Sequence, residues 1–547
     1  MASLQAGRRP GFRRVLTLVC VAVALLVSSI DQWQVAAANR AARAGAEVGA
    51  AVVLDVQAPT AATLRSAVAK ADPAGDYAMA VITQRPEGAT SPVLALDHRR
   101  LNLIADWGFA RDVPSQALLN RLVPANRPAP IVVTGRQLRL RLGPVQVVSD
   151  DSTSPESPRP VSLRLHLRRP DGSLTTAALP APTGAAGSTA TALLGGCEQG
   201  CTLSRIELVR TVGDFLGVTV SVRLLGLEAG TTGAWRPVPL GGPQDWRNAE
   251  EAAAAAGTAA TTSFTAGPAG SLVLHAVSHG SEATLQHLDV PVNLPCLLAG
   301  ADTEAGDGDA GSAVVMHGID GESASCQPVG SLPFLPRAGA GALLLDLDLA
   351  IAASQSELTN STSSVWLRTV DPARERRLTE ALAGAGIPVT GRSTTADRQS
   401  VYDQSPPAWS IRAALAAGLV AALLAALMIV IVAVTSRRPR GYDLAALRLL
   451  GVPLAMLRRA VLAEQLFGVL AGALVGTVVG VAGARLALPA LALFVSPSAV
   501  PVPDYRTGWP AVLLAAGGAL VLLCAAAVLA TTLVLGAVSP AVLREGQ

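Results

Sequence analysis

The chain has 547 residues, half of them apolar and only 15% charged, with a mean hydropathy of +0.42 and a formal net charge of +3. That balance excludes an intrinsically disordered chain, which is poor in apolar residues and rich in net charge. It also excludes a nucleic-acid binder, whose basic face lifts the charge much further. Lys70 is the single lysine and no glycine-rich run precedes it, so the chain has no P-loop and does not hydrolyse ATP by that route.

Residues 1–14 carry Arg8, Arg9, Arg13 and Arg14 without an acid, and the apolar run Val15–Ile30 follows, predicting a first span over 15–37. A cleaved secretory signal ending near Ala36-Ala37-Ala38 has the same layout. An interfacial Trp33 and unbroken helix formers from Asn39 to Val48 favour an uncleaved anchor. Residues 38–125 then read as mixed α/β structure: strand 51–56, helix Thr60–Ala71, strand 77–82, and a helix over Asp97–Phe109 opened by a capping acid.

Over 126–285 the pattern changes to period two, in short alternating strands separated by Gly, Pro, Ser and Asp, which predicts an antiparallel β-sandwich. Ser152–Pro160 and Glu228–Gly257 read as surface loops within it. Mixed structure resumes over 286–410, with strands at 342–350, 364–370 and 387–393 and a helix over Pro372–Gly384. The simplest organisation is one α/β domain interrupted by a sandwich insertion.

Cys197, Cys201, Cys296 and Cys326 fall in this region and suggest two disulfides, Cys197–Cys201 and Cys296–Cys326, each closing a local loop. Other connectivities and a zinc site are the alternatives. The six histidines show no zinc spacing, and no G-x-S-x-G elbow occurs. Asp302, Glu304, Asp307 and Asp309 read as a solvated loop rather than a calcium site. With no catalytic constellation visible, the expectation is a chain that is not an enzyme and holds no metal or cofactor.

Three further apolar blocks, 411–434, 460–488 and 509–538, reach the ~20 residues that cross a ~30 Å hydrocarbon core. The loop 435–459 carries Arg437, Arg438, Arg440, Arg448, Arg458 and Arg459 against Asp443 alone, whereas 489–508 has no such excess. The positive-inside rule puts both termini, including the tail 539–547, and the 435–459 elbow in the cytoplasm. The fold class that follows is an α+β membrane protein: one N-terminal and three C-terminal transmembrane helices around a large extracellular domain, multi-pass in the plasma membrane.

Within 437–480, Asp443 can cap a short helix, Leu444–Leu450, that Gly451 ends and Pro453 follows. Leu444, Leu447 and Leu450 share one face, suited to the inner membrane surface. Gly468, Gly472, Gly476 and Gly480 recur every four residues along the third span, a stripe on which a second helix packs, whether from this chain or another. Glu464 lies near the start of that span, where a carboxylate must reach the interface, pair with Arg458 or Arg459, or meet a partner.

The order of arginine cluster, short LAALRLLG helix, LRRAVLAEQLFG and glycine-striped span resembles the FtsX-like permease domain of MacB-type ABC transporters. The one-plus-three layout of spans around a large outer domain resembles that family as well. The resemblance implies a permease that pairs with a second permease half, identical or not, and binds a separate ATPase carrying the ATP. The coupling positions it implies are Tyr442, Asp443, Leu444, Leu447, Arg448 and Leu450, with Glu464 at the family's acidic position. The run Tyr442-Asp443-Leu444 departs from the Arg-Glu-Ile-like run common there. A membrane-anchored receptor or sensor that needs no ATPase is the alternative reading.

Overall fold

The structure, a computed structural model, describes residues 10–85, 91–108, 113–149, 161–182, 187–210, 218–231, 233–249, 261–268, 271–278, 282–300, 313–354, 358–436, 446, 448, 450–494 and 503–535. The chain forms two compact units, Gly45–Thr395 and the pairing of Met1–Ala44 with Ala396–Gln547. Its helices, in order, are α1 (Pro10–Val48), α2 (Ala61–Ala71), the single turns α3 (Leu101–Ile104) and α4 (Gln116–Leu119), α5 (Leu347–Ala353), α6 (Pro372–Gly384), α7 (Thr395–Asp403), α8 (Pro406–Thr435), α9 (Leu454–Ala487) and α10 (Trp509–Leu535).

The Gly45–Thr395 unit is built on three sheets. A nine-stranded mixed sheet runs in the order 314–317, 323–332, 294–299, 343–346, 93–96, 78–84, 361–367, 52–56 and 389–394. Strands from before the central region (93–96, 78–84 and 52–56) lie between strands from after it, so neither part of the sequence can complete the sheet alone. Thr60 caps α2 and Asp371 caps α6, each accepting from the backbone of the first turn. Leu64 and Val68 of α2 with Leu378 and Leu382 of α6 then enter the core on one face of the sheet.

Residues 131–287 form two six-stranded antiparallel sheets. Strand 161–168 alternates buried and half-buried positions, so Leu163, Leu165 and Leu167 join Leu138, Leu140, Leu142 and Leu208 in one core. The disulfides Cys197–Cys201 and Cys296–Cys326 are both present, the second tying neighbouring parallel strands.

Three local expectations are corrected. Of the expected helix Asp97–Phe109, the residues described, 97–108, are helical only in the turn α3: the Asp97 carboxylate accepts from Arg99 N at 3.0 Å, closing a turn instead of capping a helix. Residues 342–350 are strand only to Asp346, whose Oδ1 accepts from the amides of Asp348 and Leu349 and so starts α5. The proposed loop Glu228–Gly257 contains strands 234–238 and 246–248, because Trp246 is buried edge-on against Phe264, with ring centroids 5.4 Å apart. Ser152–Pro160 and the acidic run Asp302–Asp309 lie outside the described residues. Among the described residues, no cluster of three His, Cys, Asp or Glu side chains is arranged to hold a metal.

A polar seam joins the sandwich to the α/β part. The hydroxyls of Thr60 and Thr63 donate to Asp171 O, and Arg168 donates to Gly172 O and Ser354 O. Burial pulls the Arg168 guanidinium down to about 10, against the opposing charges of Asp320 and Asp289.

Candidate functional site

The four helices long and apolar enough to cross a membrane are α1, from Val15, and α8, α9 and α10, and all of them enter the second unit. Their packing is set by small residues. A Cβ placed on Gly472 would lie 2.8 Å from Val19 Cγ1, one on Gly476 2.7 Å from Cys20 O, and one on Gly480 2.7 Å from Ala24 O. Thus the glycine stripe of α9 is a groove, and Val19, Val23 and Val27 of α1 form the ridge seated in it. The stripe's neighbour is therefore in this chain. The pairing advances by four residues on both helices, so α1 and α9 run parallel, and their N-terminal ends share one side of the bundle. Gly468 is buried on the same face.

Helix α8 runs the other way. Gly418 meets Leu25, Leu26 and Ser29, and Ile411 packs with Ala36. At the opposite end, Val15 and Leu18 share an apolar groove of about 350 Å³ with Met428, Ile429 and Val432.

The C-terminal half of α1 carries polar side chains that the bundle buries. Asp31 is 0% exposed, and its Oδ1 accepts from Gly508 N at 3.0 Å. Gly508 is the residue on which α10 begins, since the amides of Ala511 and Val512 donate to its carbonyl. The carboxylate therefore sits at the N-terminus of α10, where unpaired N–H groups and the helix dipole favour negative charge. Two turns on, Asn39 holds Asp504 in both directions: its Nδ2 donates to Asp504 O and its Oδ1 accepts from Asp504 N, each at 2.8 Å. Arg40 Nε donates to Asp403 Oδ1 at 2.7 Å, with the arginine side chain only 4% exposed. The Arg43 guanidinium lies 4.3 Å from the Phe494 ring centroid and 5.2 Å from that of Tyr402. A charge in such a place is tolerated only when paired. Sequence reasoning missed this set. Its one signal is that charged and amide side chains, among them 31, 39, 40 and 43, continue in a helical stretch directly after the apolar run Val15–Ile30.

Of the coupling positions, Tyr442, Asp443, Leu444 and Leu447 lie outside the described residues. Arg448 is helical and exposed, and Leu450 is 81% exposed. Gly451 closes this turn with φ +91, donating to Arg448 O, and Pro453 caps α9. Glu464 is half-buried on α9, ten residues past Leu454.

Residues 415–540 match the FtsX-like permease C-terminal family, consistent with FtsX/MacB-type permeases, a transporter family. The match spans most of α8, all of α9 and α10, and the elbow between α8 and α9. No curated protein matches the chain.

Proposed function

We propose, from the FtsX-like permease match over α8–α10, that this chain is the non-catalytic membrane subunit of an ABC system. A separate ATPase binds ATP and docks on the 435–459 elbow from the cytoplasm, and a second permease half completes the assembly. The outer unit, on the far side of the plasma membrane, receives the motion and acts on a substrate or an extracytoplasmic partner.

One observation supports this most. The elbow leads directly into α9, whose glycine groove holds α1, so a push on the elbow reaches two spans as one packed pair. Because α1 and α9 run parallel, the arginines before Val15 and those of the elbow fall on one side, in keeping with the positive-inside rule. Exposed Arg448 and Leu450 offer a charge and an apolar side chain next to the turn at Gly451.

Mild detergent extraction of the tagged full-length chain tests the reading. A P-loop ATPase should co-purify with the wild-type chain, and Arg448→Glu should release it while insertion is unchanged. A receptor or sensor predicts no ATPase in either sample. Cysteine labelling of Ala445 from the outside of intact cells would reverse the orientation and end the proposal.

A further inference from the structure

We infer that residues 39–43 of α1 form a coupling collar, the point at which motion of the α9–α10 pair is handed to α1 and to the α7–α8 junction. The inference rests on the permease reading above. Three successive side chains on little more than one helical turn meet two different segments, the end of α7 and the connection between α9 and α10. Asn39 grips the backbone of Asp504 between α9 and α10, Arg40 is bonded to Asp403 at the end of α7, and Arg43 lies against Tyr402 and Phe494.

The geometry suits transmission rather than stabilisation alone. Asn39, Arg40 and Arg43 are 3%, 3% and 7% exposed, and burying two guanidinium groups is an expensive way to hold helices that apolar packing could hold. What polar contacts add is direction. A two-way backbone clamp resists both sliding and rotation of the 503–508 segment against α1, which a greasy surface does not. Asp31, bonded to Gly508 N at 3.0 Å, pins the other end of that segment, so the start of α10 and the connection before it are held to α1 at two heights. The remaining link, Arg40 to Asp403, sits three residues before α8 begins at Pro406. Movement entering at the elbow can thus reach α1 both along the glycine groove and at the collar.

The test uses the full-length chain with the ATPase that co-purifies with it, Cys20 and Cys524 replaced by alanine, and a spin label at Leu193→Cys, which is 79% exposed. ATP hydrolysis is read alongside the ATP-dependent change in label distance between two permease copies. Arg40→Gln and, independently, Asn39→Ala should each cut the distance response at least ~5-fold, with hydrolysis within about twofold of wild type. The exchanged pair Arg40→Asp with Asp403→Arg should restore the response. A wild-type response in both single variants overturns the collar. So does parallel loss of hydrolysis and response that the exchanged pair does not rescue, because that marks a purely structural role. A wild-type chain that hydrolyses no ATP with any co-purified protein overturns the permease reading itself.

Discussion

Replacing Gly476 by alanine puts one methyl group where α1 and α9 meet. The new carbon would stand 2.7 Å from Cys20 O and 2.9 Å from Val23 Cβ, both closer than real Cβ contacts allow, and the oxygen belongs to backbone that cannot rotate away. The helices must separate locally, and overpacking of this kind costs ~1–3 kcal/mol. Against this, alanine gains ~1 kcal/mol over glycine in helix propensity, leaving a net loss of ~0–2 kcal/mol, centred on ~1 kcal/mol. Gly483 on the same helix supplies the control, since nothing lies within 4 Å of its added Cβ and only the gain remains. The two substitutions should therefore differ by about 2 kcal/mol with opposite signs. Equilibrium unfolding in mixed detergent micelles, followed by circular dichroism, measures both. If Gly476→Ala and Gly483→Ala shift stability equally, α1 is not seated in that groove in the membrane, and the parallel arrangement of the two spans loses its support.

Other consequences can be checked separately. Asp31→Leu should destabilise the span bundle by ~1–2 kcal/mol, because it leaves the Gly508 amide without its acceptor, while Asp31→Asn retains an acceptor for Gly508 N and should lose less in the same detergent titration. Reducing Cys296–Cys326, which are 30 residues apart, should cost the Gly45–Thr395 unit about 3–4 kcal/mol, and reducing Cys197–Cys201, 4 apart, about 2 kcal/mol; thermal melts of the Cys→Ser pairs rank them. Burial opposes ionisation of Asp72, but the amides of Tyr77, Ala78 and Asp76, with Arg100 nearby, hold its carboxyl below the ordinary 3.8. Its stabilising contribution is thus complete above that value and lost as pH falls through the lower folded-state pKa, so an acid titration of Asp72→Asn should lack that part of the decline.

The sequence shows the spans because ~20-residue apolar runs leave few alternatives, and it shows the glycine register because period four is visible by eye. It does not show what fills the groove, since Val19, Val23 and Val27 look like any other apolar residues until α1 and α9 are side by side. Asp31 is legible only as an acid just past the apolar run Val15–Ile30, because the helix N-terminus whose amide it accepts lies 477 residues away. Likewise, the alternating strands of the sandwich are plain at 161–168, where Leu and polar residues take turns, but not at 174–181 or 188–193, where Ala, Thr and Pro blur the period. The capping acids mislead for a different reason. An aspartate serves a turn, as at Asp97, or a helix start, as at Asp346, through the same bond to a following amide, and tertiary packing decides which.

The unbroken helix from Pro10 to Val48 also constrains how the gene can vary. Adding one residue between Val27 and Asn39 would turn every later side chain by about 100° and advance it by ~1.5 Å, swinging Arg40 off Asp403 and Asn39 off Asp504 while the valine ridge stayed put. Seven added residues would nearly recover the facing at the expense of ~10 Å in height. Length changes in natural variants should therefore be absent from Val19–Arg43 and collect outside α1. There, an indel phase-shifts nothing.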